Sequence, residues 1–387
     1  MYCNRSRRTR NTKSMKSSKA AVWTGPGAFE VREFPVPEVG DDDGLLRVEA
    51  CGLCGTDLAQ AQGSFAGGES RPMILGHEIL GIVEALGPAA SRRWNLKVGD
   101  RVSVEPILGG CGRCDNCRLG QPLRCTEGSL PSPRIYSRLP LTVAPALWGG
   151  YSEYLYLHPN AVVHRMGTQV AAETAVLFNP LANAIEWSIL TPRPAPDASV
   201  LILGPGQRGL ACVVALRAAT ASAQILVTGL SRDTHKLKLA RELGADEVID
   251  VERTPLLDAV KEATKGRGAD LVIDTTDAAP GVVAEAVAAV RVGGTIVLAG
   301  HKGGRPSEVA ADDIIAKRAT ILGSQSASWR AFELAASFID AETTKIDRLH
   351  THSYGLHEVG KAIDVLAGRV VDGPPAIAVC VRPQGIS

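Results

Sequence analysis

Residues 199–220 read SVLILGPGQRGLACVVALRAAT, and this stretch decides the fold. An apolar run of strand length enters a glycine-rich turn, GPGQRG at 204–209, and leaves as a helical pattern. Gly204 permits the tight turn, Gly206 lets backbone approach a pyrophosphate, and Gly209 lets the helix pack close to the strand. The free amides and dipole at the helix start then favour an anion. A glycine pattern alone is weak evidence, but here strand and helix flank it in the order a dinucleotide site requires.

Working outward, strands alternate with helical patterns from about Asn183 to Gly323: SVLILG, QILVTGL, DEVIDV, DLVIDTT, TIVLAG and ATILGS, with helices such as THKLKLARELG and PGVVAEAVAAVRVG between them. That alternation predicts an α/β, Rossmann-type doubly wound parallel sheet. Upstream, from Lys19 to about Ala172, short strands broken by Gly and Pro predominate: AAVW, LLRVEA, GIVEALG, DRVSVEP, GYSEYLYL and AVVHRM. A helical stretch, HEVGKAIDVLAGR, lies in the last sixty residues.

Within the strand-rich half, CGRCDNCRLGQPLRC places Cys111, Cys114, Cys117 and Cys125 in one short lobe. Four thiolates close a tetrahedral shell around one zinc, so this metal would be purely structural. Two-residue gaps suit a metal better than a disulfide framework. A closed site directs attention to an open one, which needs about three protein ligands and a vacant position. CGLCGTD at 51–57 and GHE at 76–78 offer Cys54, His77 and Glu78: thiolate, imidazole and carboxylate.

With these motifs in order, the chain resembles the zinc-containing medium-chain dehydrogenase/reductase superfamily, the alcohol, sorbitol and threonine dehydrogenase group, from about Lys19 to the C-terminus. The resemblance implies a mostly β, barrel-like (GroES-like) catalytic domain over 19–182 with its zinc lobe at 109–126. It further implies a dinucleotide-binding Rossmann domain over 183–323 and a return segment, 324–387, completing the catalytic domain. Two zincs, one structural and one catalytic, and a nicotinamide cofactor follow. By the same resemblance Thr56 would touch substrate and pass on its proton, and the backbone around Leu298 and Gly300 would meet the nicotinamide carboxamide. Asp57 fits a partner that fixes the tautomer of a zinc-bound imidazole.

Two positions depart from the family pattern. Many relatives carry a histidine five residues past the position of Cys54, where this chain has Ala59, so the proton must leave by water, by the cofactor ribose or through another histidine. In LFNPLANAIEW, 177–187, Asn179 stands where the third zinc ligand is usually charged. A neutral amide is a weaker ligand, and a shell of Cys54, His77 and Asn179 leaves one net positive charge. Direct ligation by Glu78 restores neutrality, so either Glu78 enters the shell, with Asn179 at most a weak ligand, or metal affinity is reduced; Asn179 could instead hold a ligand or bind substrate through its amide.

Cofactor choice is read at the end of the second strand, where an NAD-preferring site carries Asp or Glu about 20 residues past the glycines. Here VTGLSRD puts Gly229 near that position, followed by Ser231 and Arg232. Absence of the carboxylate and presence of a guanidinium favour NADP(H), with NAD(H) possible should Asp233 take the carboxylate's role. The apolar segment 127–150, with Tyr136 and Trp148, reads as a cleft wall or an oligomer contact and favours a bulky apolar substrate.

The 387 residues suffice for two cores, and 45% hydrophobic with 21% charged is ordinary for a globular protein. A net charge of +1 gives no overall nucleic-acid or membrane signal. Residues 1–19 hold seven Lys or Arg and no acid, which reads as a disordered basic extension over 1–18, with Met15 as an alternative start. No run approaches the ~18 apolar residues of a membrane span. The expectation is a cytoplasmic homo-oligomer, dimer or tetramer, acting on a small-molecule alcohol, ketone or aldehyde. Alternatives are an NADPH-binding protein with lost catalysis and a zinc-independent double-bond reductase.

Overall fold

The computed structural model describes residues 17–63, 72–119, 121–127, 130 and 134–385. The basic extension as far as residue 16 lies outside them. Ser17 and Ser18, expected to belong to it, instead open strand β1 (Ser17–Gly25), and Ser18 is fully buried. Strand β1 pairs with β2 (Ala28–Pro35) and with β4 (Met73–Ile74) in a small antiparallel sheet.

The central strand of the barrel-like unit is β3 (Gly44–Leu53). It lies between β5 (Glu78–Leu86) on one side and β7 (Tyr154–Leu157) and β16 (Ala378–Val381) on the other. Strands β6 (Arg101–Val104), β8 (Val163–Arg165) and β15 (His350–Tyr354) complete the sheet. The C-terminal stretch thus returns to this unit, with Val379 opposite Leu53. The core holds Trp23, Leu46, Tyr136, Trp148, Tyr151 and Val379, all buried. Tyr136 and Trp148 therefore pack the barrel interior and line neither a cleft nor an outer surface, which removes the support for a bulky apolar substrate. The described part of segment 127–150 is apolar because it fills a core.

The second unit is a six-stranded parallel sheet: β9 (Ser199–Leu203), β10 (Gln224–Gly229), β11 (Glu247–Asp250), β12 (Ala269–Asp274), β13 (Val290–Leu298) and β14 (Thr320–Gly323). Their spatial order is β11-β10-β9-β12-β13-β14, so the chain reverses direction across the sheet between β9 and β12. Successive residues of β9 face opposite layers. Val200 and Ile202 join a core with helices 178–185, 207–219 and 329–340, while Leu201 and Leu203 join another with helices 256–263 and 282–289. Burial on both faces explains why these strands read as unbroken apolar runs.

One boundary differs from expectation. The VRVG that closes the helical pattern before TIVLAG is already strand, since β13 begins at Val290. Two β-branched residues in three favour extended chain, and the register jumps there from Ala269 opposite Val290 to Leu271 opposite Thr295.

Candidate metal centre and cofactor crevice

Pairing of β3 with β5 assembles the first cluster. Gly52 lies opposite Glu78 in register, so the residue just past the end of β3 arrives beside the residue just before β5. Cys54 N-caps helix 55–61, accepting the Thr56 N–H at 3.3 Å, while Asp57 Oδ2 accepts the Cys54 N–H at 3.0 Å. Cys54 Sγ lies 3.3 Å from His77 Nε2, and Asp57 Oδ1 lies 3.4 Å from His77 Nδ1. The ligand atoms of Cys54, His77 and Glu78 fall within 4.8 Å of one another. A sulfur and a nitrogen on one tetrahedral zinc lie about 3.5 Å apart, close to the separation found. Glu78 is fully buried and its Oε2 has no hydrogen-bond partner among the described residues, so the donor set fits a cation.

Burial alone would lower the His77 pKa, but the Cys54 sulfur and the Asp57 carboxylate outweigh it and hold it well above its usual range. Asp57 shows the converse: burial raises it and the His77 charge brings it below the ordinary value. Burial pushes the Glu78 carboxyl up, and the Arg208 guanidinium restores it only in part. Metal binding at such a group displaces protons and is therefore favoured by rising pH.

Asn179, on helix 178–185, is 2% exposed, and its Oδ1 accepts from Asn183 Nδ2 at 3.0 Å and from Arg208 Nη2 at 3.1 Å. Arg208 Nη2 also donates to Glu78 Oε1 at 2.6 Å. Reading GPGQRG for its glycines missed this residue. Its neighbour in space is 130 positions away in sequence, and no local pattern encodes that meeting.

The lobe presents four sulfurs within 4.8 Å of one another, with Cys111 to Cys117 and Cys114 to Cys125 both 3.9 Å apart. Sulfurs around one zinc lie about 3.8 Å apart, so these residues also fit the metal. The Cys117 backbone N–H lowers the Cys114 pKa to about 6 and the Cys111 N–H lowers that of Cys125, while burial pushes Cys117 up to about 11, so without a metal the lobe favours thiolates at some of its sulfurs only.

In the glycine turn Gly204 has φ +96°, a conformation that side-chain-bearing residues rarely adopt. A Cβ on Gly209 would lie 2.0 Å from the Gly204 carbonyl oxygen, so helix and strand approach too closely for any other residue. Gly206 caps helix 207–219, and a Cβ there would meet nothing within 4 Å, leaving the helix start open to a ligand. At the end of β13 the Gly300 N–H donates to the Asp274 carbonyl at 2.9 Å, and the Leu298 carbonyl accepts from Ser324 at 3.0 Å.

At the end of β10, Ser231 is committed elsewhere. Its Oγ donates to Asp250 Oδ2 at 2.7 Å and its N–H to Glu252 Oε2 at 2.7 Å. Register explains the approach, since Gly229 pairs with Asp250. A carboxylate thus reaches this position from the adjacent strand, a contact invisible in VTGLSRD. Arg232 is exposed and makes no ion pair among the described residues.

The Alcohol dehydrogenase GroES-like domain model matches residues 40–167 and the Zinc-binding dehydrogenase model residues 209–341. The chain therefore belongs to the zinc-containing medium-chain dehydrogenase family, an NAD(P)-dependent class of zinc oxidoreductases acting on alcohols. Among curated relatives, "Probable alcohol dehydrogenase adh" of Mycobacterium tuberculosis is 38% identical over 369 residues, covering 94% of this chain and 98% of its own. Two solved structures are each 26% identical and span 95% of this chain. One is the alcohol dehydrogenase rspB of E. coli CFT073 with cofactor NADH, at TM-score 0.79 and 99% of its own length. The other is a zinc-binding dehydrogenase of Sinorhizobium meliloti 1021 bound to NADP, at TM-score 0.78 and 100%. Among the described residues no helix is long and apolar enough to cross a membrane.

Proposed function

We propose that the chain transfers a hydride reversibly between a nicotinamide cofactor and a small-molecule alcohol, ketone or aldehyde, at an open zinc site formed by Cys54, His77 and Glu78. The observation that carries this reading is the bond from Arg208 of the glycine turn to Glu78, which brings the cofactor loop and the metal cluster into one crevice. Zinc, when bound, polarises the substrate oxygen and lowers the alcohol's pKa, and the nicotinamide supplies or accepts the hydride.

The chain's own groups handle position and protons. Asp57 holds the His77 ring so that Nε2 faces Cys54. Thr56, whose N–H donates to Cys54 Sγ and whose hydroxyl has no hydrogen bond among the described residues, takes the substrate proton and passes it on. With Ala59 at the position of the missing histidine, that proton continues to water or the cofactor ribose.

A preference for NADP(H) rests on Arg232, whose unpaired guanidinium suits a 2′-phosphate. The competing reading, NAD(H), is favoured by the carboxylates of Asp250 and Glu252 around Ser231. Arg232→Ala should weaken NADPH binding by roughly 1–3 kcal/mol, the scale of a charge-assisted hydrogen bond, and spare NADH. A wild type that prefers NADH, with a ratio unmoved by Arg232→Ala, assigns the choice to the two carboxylates. Two zincs per chain and cofactor-linked turnover on a panel of alcohols test the overall reading; one zinc and no turnover would overturn it.

The crevice lies between the units we delimit as 19–182 with 324–387 and as 183–323. A homo-oligomer accords with β14, an edge strand whose Ile321 is 36% exposed. A reducing cytoplasm accords with eight free cysteines among the described residues.

A further inference from the structure

Two oxygens that could complete the open site's shell are tied to one nitrogen, while Glu78 Oε2 is held by no described residue. Arg208 Nη2 holds Glu78 Oε1 at 2.6 Å and Asn179 Oδ1 at 3.1 Å. Glu78 is fully buried, Asn179 2% exposed and the Arg208 side chain 20% exposed, so little solvent screens this contact. Glu78 Oε2, Asn179 Nδ2 and Arg208 Nη1 are buried without hydrogen-bond partners among the described residues. A buried polar network left partly unsatisfied is one whose members have another use.

Charge decides what that use is. A thiolate at Cys54 and a carboxylate at Glu78 would neutralise a divalent metal, with His77 neutral. The Arg208 guanidinium, in an ion pair with Glu78, already counters its charge. A metal beside it therefore meets one thiolate, one imidazole and a carboxylate shared with a second cation. Asn179 belongs to the same arrangement, since its neutral amide can accept from a guanidinium while adding no charge that would draw the metal back.

Resting on the open-site reading above, we propose that Arg208 is a positioning residue that competes with the metal for Glu78 and so keeps the open site weakly metallated and exchangeable beside the tight four-cysteine lobe. Cofactor loop and metal affinity are joined through this one side chain.

The test uses full-length protein whose lobe is first filled with zinc. Cobalt is then titrated into the open site and followed by the Cys54 thiolate-to-metal absorption, with Cys54→Ser as the blank. Arg208→Met should bind cobalt tighter by about tenfold or more, the effect of removing a neighbouring positive charge from a poorly solvated site. Arg208→Lys should stay close to wild type. Glu78→Gln should weaken cobalt binding far less in the wild type than in Arg208→Met, where it should abolish the gain. An Arg208→Met protein with unchanged or weaker cobalt binding overturns the proposal, as does a Glu78→Gln loss equal in both backgrounds. Arg208→Gln, checked by near-ultraviolet circular dichroism and lobe zinc content, replaces the Met variant if that one does not fold. Absence of any Cys54–cobalt signal in the wild type and in every Arg208 variant removes the open site itself, and the functional reading with it.

Discussion

Asp57 is the residue on which the open cluster turns. One oxygen fixes the Cys54 backbone and the other faces His77 Nδ1, so a single carboxylate orients two prospective ligands. Asp57→Asn keeps the size but can satisfy only one of those partners as an acceptor, since its other arm is a donor. We expect metal affinity at the open site to fall by about 10–100-fold, the usual effect of losing a group that orients a ligand, with the lobe unaffected. Equal cobalt titrations of variant and wild type would reject this role. At this scale the sequence was readable where chemistry is carried by residue type: Cys54, His77, Glu78 and the four lobe cysteines stand out as candidate ligands, and the fold brings each set together. Arg208 and Asp250 did not, because what matters about them is which distant side chain they meet. Strand register and the crossing of two units set those meetings.

Among the elements, the lobe is the one least able to fold on its own chemistry. Among its described residues the longest regular pieces are a four-residue helix at 115–118 and a three-residue 3₁₀ turn at 122–124, and no hydrophobic cluster is centred on them. Metal-binding energy there is folding energy. Cys114→Ser should lower the melting temperature and remove one zinc per chain, while full zinc content with unchanged melting would refute the assignment. Elements buried on both faces were the most legible, since an apolar run such as SVLIL admits few other readings. Segment 127–150 was misread for a related reason: apolar composition reports burial and does not say against what, and Trp148 proved to face the barrel core.

Across the whole molecule, a buried histidine ties the barrel-like strands to a helix that packs on the parallel sheet. His164 on β8 bonds Glu105 at 2.8 Å through Nε2 and Glu333 of helix 329–340 at 2.5 Å through Nδ1, with Phe332 stacked on its ring. Burial alone would lower its pKa, but the two carboxylates outweigh that and raise it. The charged tie therefore contributes fully below the unfolded-state value of about 6.5 and is lost as pH rises through the higher folded value. Stability of the wild type relative to His164→Gln, from urea unfolding at a series of pH values, should decline across that window; a difference flat in pH would contradict it. Chain order across the molecule carries one more consequence. Strand β3 finds its partner β16 only at residues 379–381, more than three hundred positions later. During synthesis the parallel sheet of residues 199–323 can close while that edge of β3 still waits for the last strand to leave the ribosome. The nascent chain thus exposes an unpaired, apolar strand edge for most of its translation, and its yield in the cell will depend on whatever shields that edge until the C-terminus is released.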